Sequence, residues 1–439
     1  MRKHFERQER LPNLPAAPSR GPSGGYKPVQ IIITAFMTVI DLNWFFYFIK
    51  KEVKTLSGAL EHIRILDLSR VLAGPYCTMI LGDLGAEVIK VEAPGGSDET
   101  RRWGPPFKKD VSAYYLSANR NKKSITADLK SEEGVALIKE LVKVSDVIIN
   151  NFKTGTMERF GLDYDTLAEI NPGIVSCSIT GFGETGPNKD IPGYDFIIQA
   201  MSGFMSITGD ENSGPQKVGV AITDILTGLY ACIGIQGALL ERTQSGKGQK
   251  LDISLYDSAV SALVNVGSNY LMSGEIPKAL GNHHANIVPY QTFKTRDGEM
   301  VIAVGNDNQF SMLCKLIGKP EYATDPRFKT NPDRVKNRET IVPLLQKELL
   351  EKTTSYWQEQ CRQHNIPCGP IQNIAEVAGD PQLQARDMFV DYDHPTAGDI
   401  KMIGSPLKLS RTPVTFRQHP PDAGEHNEEI LAHLKINNK

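Results

Sequence analysis

Residues 64–92 read RILDLSRVLAGPYCTMILGDLGAEVIKVE. Arg64 to Leu68 is a short apolar run of strand length. Gly74 to Leu84 has helical character, with Pro75 tolerated in the first turn because its missing N–H has no intrahelical partner there. Gly85 ends the helix, and Glu87 to Val91 is a second apolar strand. Strand, helix and strand within thirty residues make a β-α-β unit, the signature of a parallel sheet covered by helices.

The alternation continues outward. Ser131-Glu132-Glu133 caps a helix whose Val135, Ile138, Leu141 and Val142 share one face. Asp146 to Ile149 is a strand, Tyr164 to Ile170 a short helix stopped by Asn171-Pro172-Gly173, and Ile174 to Ile179 another strand. Strands this apolar have both faces covered, so the reading is a doubly wound α/β domain. Between them lies a polar stretch, Ala93 to Asn121, read as a long irregular loop. From Tyr256 an apolar helix runs to about Met272. After Gly274 the character changes to a hairpin over 290–303 turning at Arg296-Asp297-Gly298. Helices follow near 308–317, 338–350 and 354–364, and strands near 389–392 and 400–402. The expected division is a leader over 1–57, a large Rossmann-like domain over 58–275, a smaller α+β domain over 285–375, and a return to the large domain over 376–439.

Composition excludes several classes. The 439 residues carry a formal net charge of -2, which gives no electrostatic reason to expect nucleic acid as partner. The six cysteines are scattered without a C-x-x-C pair, so neither zinc nor dithiol chemistry is indicated. Residues 29–49, VQIIITAFMTVIDLNWFFYFI, are long enough to span a bilayer. A central Asp41 costs roughly 2.5–3.5 kcal/mol on insertion scales, so a membrane anchor is disfavoured against a targeting or atypical leader.

Residues 217–257, KVGVAITDILTGLYACIGIQGALLERTQSGKGQKLDISLYD, hold the sharpest chemical feature. Asp224 opens a helix over 225–242 in which Gly228, Ala231, Gly234, Gly237 and Ala238 allow another backbone to come close. From the residues alone Asp224 is either a helix cap or a functional carboxylate, and the cap is the commoner case. Gly181-Phe-Gly-Glu-Thr-Gly186 matches G-x-G-x-x-G, but Pro187 and Pro192-Gly193 follow where a phosphate-binding helix has to start, so a tight loop is preferred. Ser245-Gly-Lys-Gly248 lacks the leading glycine of a P-loop. Two basic clusters, Arg101-Arg102 and Arg120 to Lys123, are either solvated surface or a site for a phosphorylated anion.

The chain resembles the class III CoA-transferases, the family of formyl-CoA and carnitine CoA-transferases and α-methylacyl-CoA racemase. The resemblance rests on an ordered series: RVLAGPY at 70–76, GDLGAEVIKVE at 82–92, TRRWGPPF at 100–107, NRNKKSI at 119–125, GFGETGP at 181–187, GYD at 193–195, TDILTG at 223–228, TQSGKGQ at 243–249 and IPCGPI at 366–371. IVPYQTFKT at 287–295 is most similar to the branch acting on succinate and hydroxymethylglutarate or glutarate, mitochondrial in animals.

That resemblance implies a Rossmann-like domain, a smaller α+β domain and an obligate, interlaced homodimer. It implies an aspartate nucleophile at Asp224, which attacks an acyl-CoA and passes through an anhydride to an aspartyl-CoA thioester. It requires the aspartate ionised, a role assigned to the helix N-terminus. It maps CoA contacts onto Leu72, Ala73, Ala127, Asp128, Leu129, Lys130, Asn151, Phe152, Arg159, Tyr194 and Asp195. It implies CoA thioesters as substrates, no permanently bound cofactor and no metal. The expected location is the mitochondrial matrix, with the cytoplasm as the alternative. A basic residue that some members carry after the V-I-K-V-E strand is Ala93 here, and the long glycine-rich lid of the formyl-CoA branch has no counterpart. Racemases of the family carry His at the position of Tyr194, and a phenol is a poor base at neutral pH. Transfer is therefore preferred over racemisation, and both over a nucleotide-dependent oxidoreductase.

Overall fold

Six parallel strands organise the first half of the chain in a computed structural model that describes residues 58–437. Numbered within this sheet, they are β1 (Arg64–Asp67), β2 (Glu87–Glu92), β3 (Lys122–Thr126), β4 (Val147–Asn150), β5 (Val175–Thr180) and β6 (Lys250–Ser254). Their spatial order is 3-2-1-4-5-6, the doubly wound order of the Rossmann fold. The apolar segment 29–49 and the rest of 1–57 lie outside the described residues.

The strands are apolar because both faces are covered. Ile65 sits beside Val88 and Val147, and on that face packs with Cys77, Leu81, Ile235 and Leu239. Its neighbour Leu66 points the other way, into a layer with Ile89, Ile148, Ile138, Leu141 and Leu167. Truncating any of these buried aliphatics to Ala costs about 2–5 kcal/mol, so this double layer is the main stabilising feature of the sheet.

A second core lies over an antiparallel three-stranded sheet, Tyr290–Lys294, Glu299–Ala303 and Cys368–Pro370. Phe293, Met300 and Ile302 pack there with Phe310, Leu345 and Trp357 from the helices Asp307–Leu316, Arg338–Leu349 and Thr354–Gln363. The chain then forms a hairpin, Phe389–His394 against Gly398–Ile403, and returns to the first sheet. Arg417 donates to the carbonyls of Gly82 (2.8 Å) and Gly85 (3.0 Å), His426 N donates to Ser124 O, and Ile430 enters the core beside β3. The described residues fall in one compact unit.

Three expectations need correction. The stretch 93–121 is not one irregular loop: it holds a 3-10 turn (Glu99–Arg102), a two-residue ladder (Phe107–Lys108 with Val111–Ser112) and a helix (Ala113–Ala118). The helix expected from 256 to 272 is two, Leu255–Ser261 and Val264–Ser273, broken where Val264 adopts φ 41°. Arg102 stays on the surface, but the other cations of the two basic clusters are paired within the protein. Lys122 is buried on β3 against Asp67 (3.0 Å), Arg120 against Asp83 (2.6 Å), and Arg101 pairs with Glu92. These cations are neutralised internally, which leaves them no charge for a phosphate.

Candidate active site

A pocket opens at the carboxyl ends of β1, β4 and β5. In a 3-2-1-4-5-6 sheet the chain reverses its winding between β1 and β4, and the crevice left there is the general ligand site of such folds. The walls come from Arg70, Val71 and Ala73 after β1, Asn151 to Thr154 after β4, and Ile179 to Gly181 at the end of β5. Glu99, the segment Lys189 to Tyr194, Asp224 and Leu255 complete them.

Two helix N-termini meet at this pocket. The helix Ala73–Asp83 starts without a side-chain cap, and the amides of Leu72, Ala73 and Gly74 make no hydrogen bond among the described residues. The helix Ile222–Ser245 carries Asp224 in its first turn, also without capping through that carboxylate. Gly228 brings the two together: a Cβ there would stand 2.7 Å from Ala73 O, so only glycine lets this helix cross the head of the other. At its far end Arg242 ties the same helix to Gly173 O (2.9 Å) and Asp146 (2.8 Å).

Glycines of the rejected nucleotide motif have a packing role. A Cβ on Gly181 would meet Gly193 Cα at 2.6 Å, so two backbones touch there and lay Tyr194 across the end of β5. Asp195 follows as the first residue of the next helix (Asp195–Met201). Its Oδ1 accepts from Thr223 N (2.8 Å) and Thr223 Oγ1 (2.7 Å), and its Oδ2 accepts from Gln199. Asp195 thus supplies, from a separate element, the cap that the Ile222–Ser245 helix lacks.

The electrostatics of Asp224 differ from the expectation that a helix N-terminus keeps it ionised. Burial, and then the neighbouring Asp195 carboxylate, push its pKa up to about 7. Two half-buried carboxylates near each other outweigh a half-charge at a helix end. Tyr114 faces the same region. Burial, Asp224 and Asp195 push its phenol up to about 12, so it stays a neutral hydroxyl that can donate a hydrogen bond.

Apart from Asp195, which caps the neighbouring helix from outside the pocket lining, the residues named from sequence separate into two groups. Ala73, Asn151, Phe152, Tyr194 and Asp224 line the pocket, and Leu72 caps the helix at its edge. Asn151 also holds the wall, accepting from Arg70 N (2.9 Å) and donating to Arg70 O (2.6 Å). Ala127, Asp128, Leu129 and Lys130 follow β3 at the sheet edge, where Asp128 accepts from Lys130 N, and none of them lines the pocket. Arg159 donates to Thr156 Oγ1 of its own turn and stands outside the lining as well. Sequence reasoning misses Tyr114 and Asp98, because nothing in the spacing of 93–121 shows that the segment folds back onto the site. No cluster of metal-ligating side chains occurs among the described residues.

Comparison with known proteins agrees with this geometry. The family model described as CoA-transferase family III matches residues 60–427. A succinate–glutarate CoA-transferase of Agrobacterium fabrum is 45% identical over 382 residues, 86% of this chain and 96% of that protein. The human succinyl-CoA:glutarate CoA-transferase is 45% identical over 372 residues, 85% of each chain. Among solved structures, a CAIB/BAIF family protein from Brucella suis is 44% identical with a TM-score of 0.75, covering 85% of this chain and 98% of its own. A pocket at the switch point, a half-buried aspartate within it and a match along nearly the whole described chain lead to one conclusion: the chain belongs to CoA-transferase family III and is an enzyme of that class.

Proposed function

We propose that the protein moves CoA from succinyl-CoA to glutarate through a covalent intermediate on Asp224. The observation that carries this reading is that Asp224 and Ala73 line the same pocket, Ala73 opening a helix whose first amides, Leu72 to Gly74, make no hydrogen bond among the described residues. A nucleophile and oxyanion donors are what acyl transfer requires. The choice of acids rests on the relatives from Agrobacterium fabrum, human and mouse, whose names specify succinate or succinyl-CoA with glutarate.

The ionised Asp224 attacks the thioester carbonyl, and the amides at the head of the Ala73–Asp83 helix hold the oxyanion. The C–S bond breaks, giving a succinyl-aspartyl anhydride and CoA thiolate. The thiolate attacks the aspartyl carbonyl, releases succinate and leaves an aspartyl-CoA thioester. A glutarate carboxylate displaces the thiolate to form a second anhydride. The thiolate then attacks the glutaryl carbonyl, which yields glutaryl-CoA and frees Asp224. No net proton transfer is needed. Tyr194 at the pocket mouth is consistent with transfer rather than α-proton exchange.

CoA is proposed to lie along the carboxyl edge of the sheet. Leu72, Ala73, Asn151, Phe152 and Tyr194 stand next to the reacting centre. Ala127 to Lys130 and Arg159 lie further out. The working unit is proposed to be a homodimer, because large apolar side chains stay uncovered on one chain: Ile233 and Leu240 of the Ile222–Ser245 helix, and Leu271, Met272 (90% exposed) and Ile276 beyond it. Sedimentation should give twice the 48.5 kDa chain mass. We place the enzyme in the mitochondrial matrix, and imaging of the tagged full chain tests that.

The deciding experiment supplies succinyl-CoA with a panel of dicarboxylates and reads the CoA products by mass spectrometry. Glutaryl-CoA should form with the wild-type chain and not with Asp224→Ala, whose sedimentation should stay unchanged. Exchange of an α-proton in a 2-methylacyl-CoA without movement of CoA would replace this reading with racemisation.

A further inference from the structure

The turn between β1 and the Ala73–Asp83 helix has an unusual construction. Val71 adopts φ 69°, a left-handed conformation that a β-branched residue adopts only under constraint. The constraint is visible residue by residue. Ser69 O accepts from Lys90 Nζ (2.9 Å), Arg70 is clamped at both N and O by Asn151, and Val71 N donates to Asp98 Oδ1 (3.2 Å). Asp98 and Lys90 form an ion pair at 2.9 Å with neither side chain exposed.

Asp98 is itself fixed from several directions. Its Oδ1 also accepts from Thr100 N (3.1 Å) and Thr100 Oγ1 (2.7 Å), and its own amide donates to Glu92 Oε1 (3.0 Å). A buried ion pair adds little net stability over an apolar pair of similar volume, so stability alone does not account for it. Its atoms do specify a geometry. The carboxylate and the ammonium each grip a backbone group of the turn, and the next three amides in the chain are the unpaired ones of Leu72, Ala73 and Gly74.

We infer that Asp98, held by Lys90, is a positioning residue for CoA transfer: it keeps Val71 left-handed and so aims the amides of residues 72–74 at the reacting carbonyl beside Asp224. The inference rests on the transferase reading above. Asp98 does not line the pocket, so it acts through the turn rather than on substrate.

The test is a double-mutant cycle between Asp98→Ala and Val71→Gly, measured on the full chain as kcat for CoA transfer alongside the unfolding midpoint. Glycine reaches positive φ without the steric penalty, so it needs no clamp to hold it there. Asp98→Ala should lower kcat about 10- to 100-fold with Val71 in place, the range expected for loss of a charge-assisted hydrogen bond. Introduced into the Val71→Gly variant, the same substitution should lower kcat by less than about threefold. If Asp98→Ala does not fold, the cycle is read with Asp98→Asn, which keeps the side-chain shape and weakens the acceptor. An equal loss of kcat in both backgrounds, or no loss with Val71 in place, overturns the inference. Absence of CoA transfer by the wild-type chain would instead remove the transferase reading.

Discussion

Replacing Asp224 with Asn tests the central electrostatic finding, because activity and stability should move in opposite directions. Burial and Asp195 raise the Asp224 carboxyl from 3.8 to about 7. At about 1.36 kcal/mol per pH unit, ionising it in the folded state costs roughly 4 kcal/mol more than in the unfolded chain. The sign follows from proton uptake. Between the unfolded pKa near 4 and the folded one near 7, the native state holds the proton more tightly. Wild-type stability therefore falls as pH rises through that window and stays reduced above it. The amide introduced by Asp224→Asn cannot ionise and escapes this loss. Asp224→Asn should abolish glutaryl-CoA formation. Its stability advantage over wild type should grow by roughly 2–3 kcal/mol between pH 5 and pH 8. Urea unfolding of both chains at the two pH values measures that growth. A stability difference that does not change with pH would refute the raised carboxyl, whatever happens to activity.

Other predictions follow from the same geometry. With Asp224 required as the anion, kcat/KM should fall about tenfold per pH unit below pH 7, and Asp195→Asn should move that limb to lower pH by removing the adjacent negative charge. A pH–rate profile of both proteins reads the shift. Gly228→Ala places a methyl 2.7 Å from Ala73 O and should destabilise the fold by about 1–3 kcal/mol while lowering kcat more than it raises KM. Urea unfolding and steady-state kinetics of that variant check both halves. Lys122→Met leaves Asp67 buried without its partner and should cost about 3–5 kcal/mol in chemical denaturation. Asp67→Asn in the same chain should restore part of it.

Local pattern carries much of the architecture. The strands at 64–67, 87–92, 147–150 and 175–180 are short stretches centred on Ile, Leu, Val and small residues with few exposed charges, so burial on both faces leaves them legible. β3 is hidden because its KKSIT reads as charged surface. Lys122 is buried there because its ammonium donates to Asp67 (3.0 Å), fifty-five positions earlier, and to Pro75 O and Asn119 Oδ1. The helix after Tyr256 reads as continuous because Val264 gives no sign that its φ is positive. Asp224 is legible as a candidate from its ordered family context, whereas Asp98 and Tyr114 are not, since their relation to the site exists only after the 93–121 segment folds over it.

The sequence by itself determined a doubly wound α/β chain, the aspartate at the head of an apolar helix, and the family to which both belong. Short-range periodicity and motif order are properties of the chain, and they survive without coordinates. The tertiary structure decided the ionisation of that aspartate and the role of the charges around it. A helix terminus alone favours the anion, but burial and Asp195 oppose it more strongly, and their proximity is set by a glycine crossing at Gly228 and a cap supplied from residue 195. Coulomb and desolvation energies depend on distance and burial, and neither is written in the order of residues.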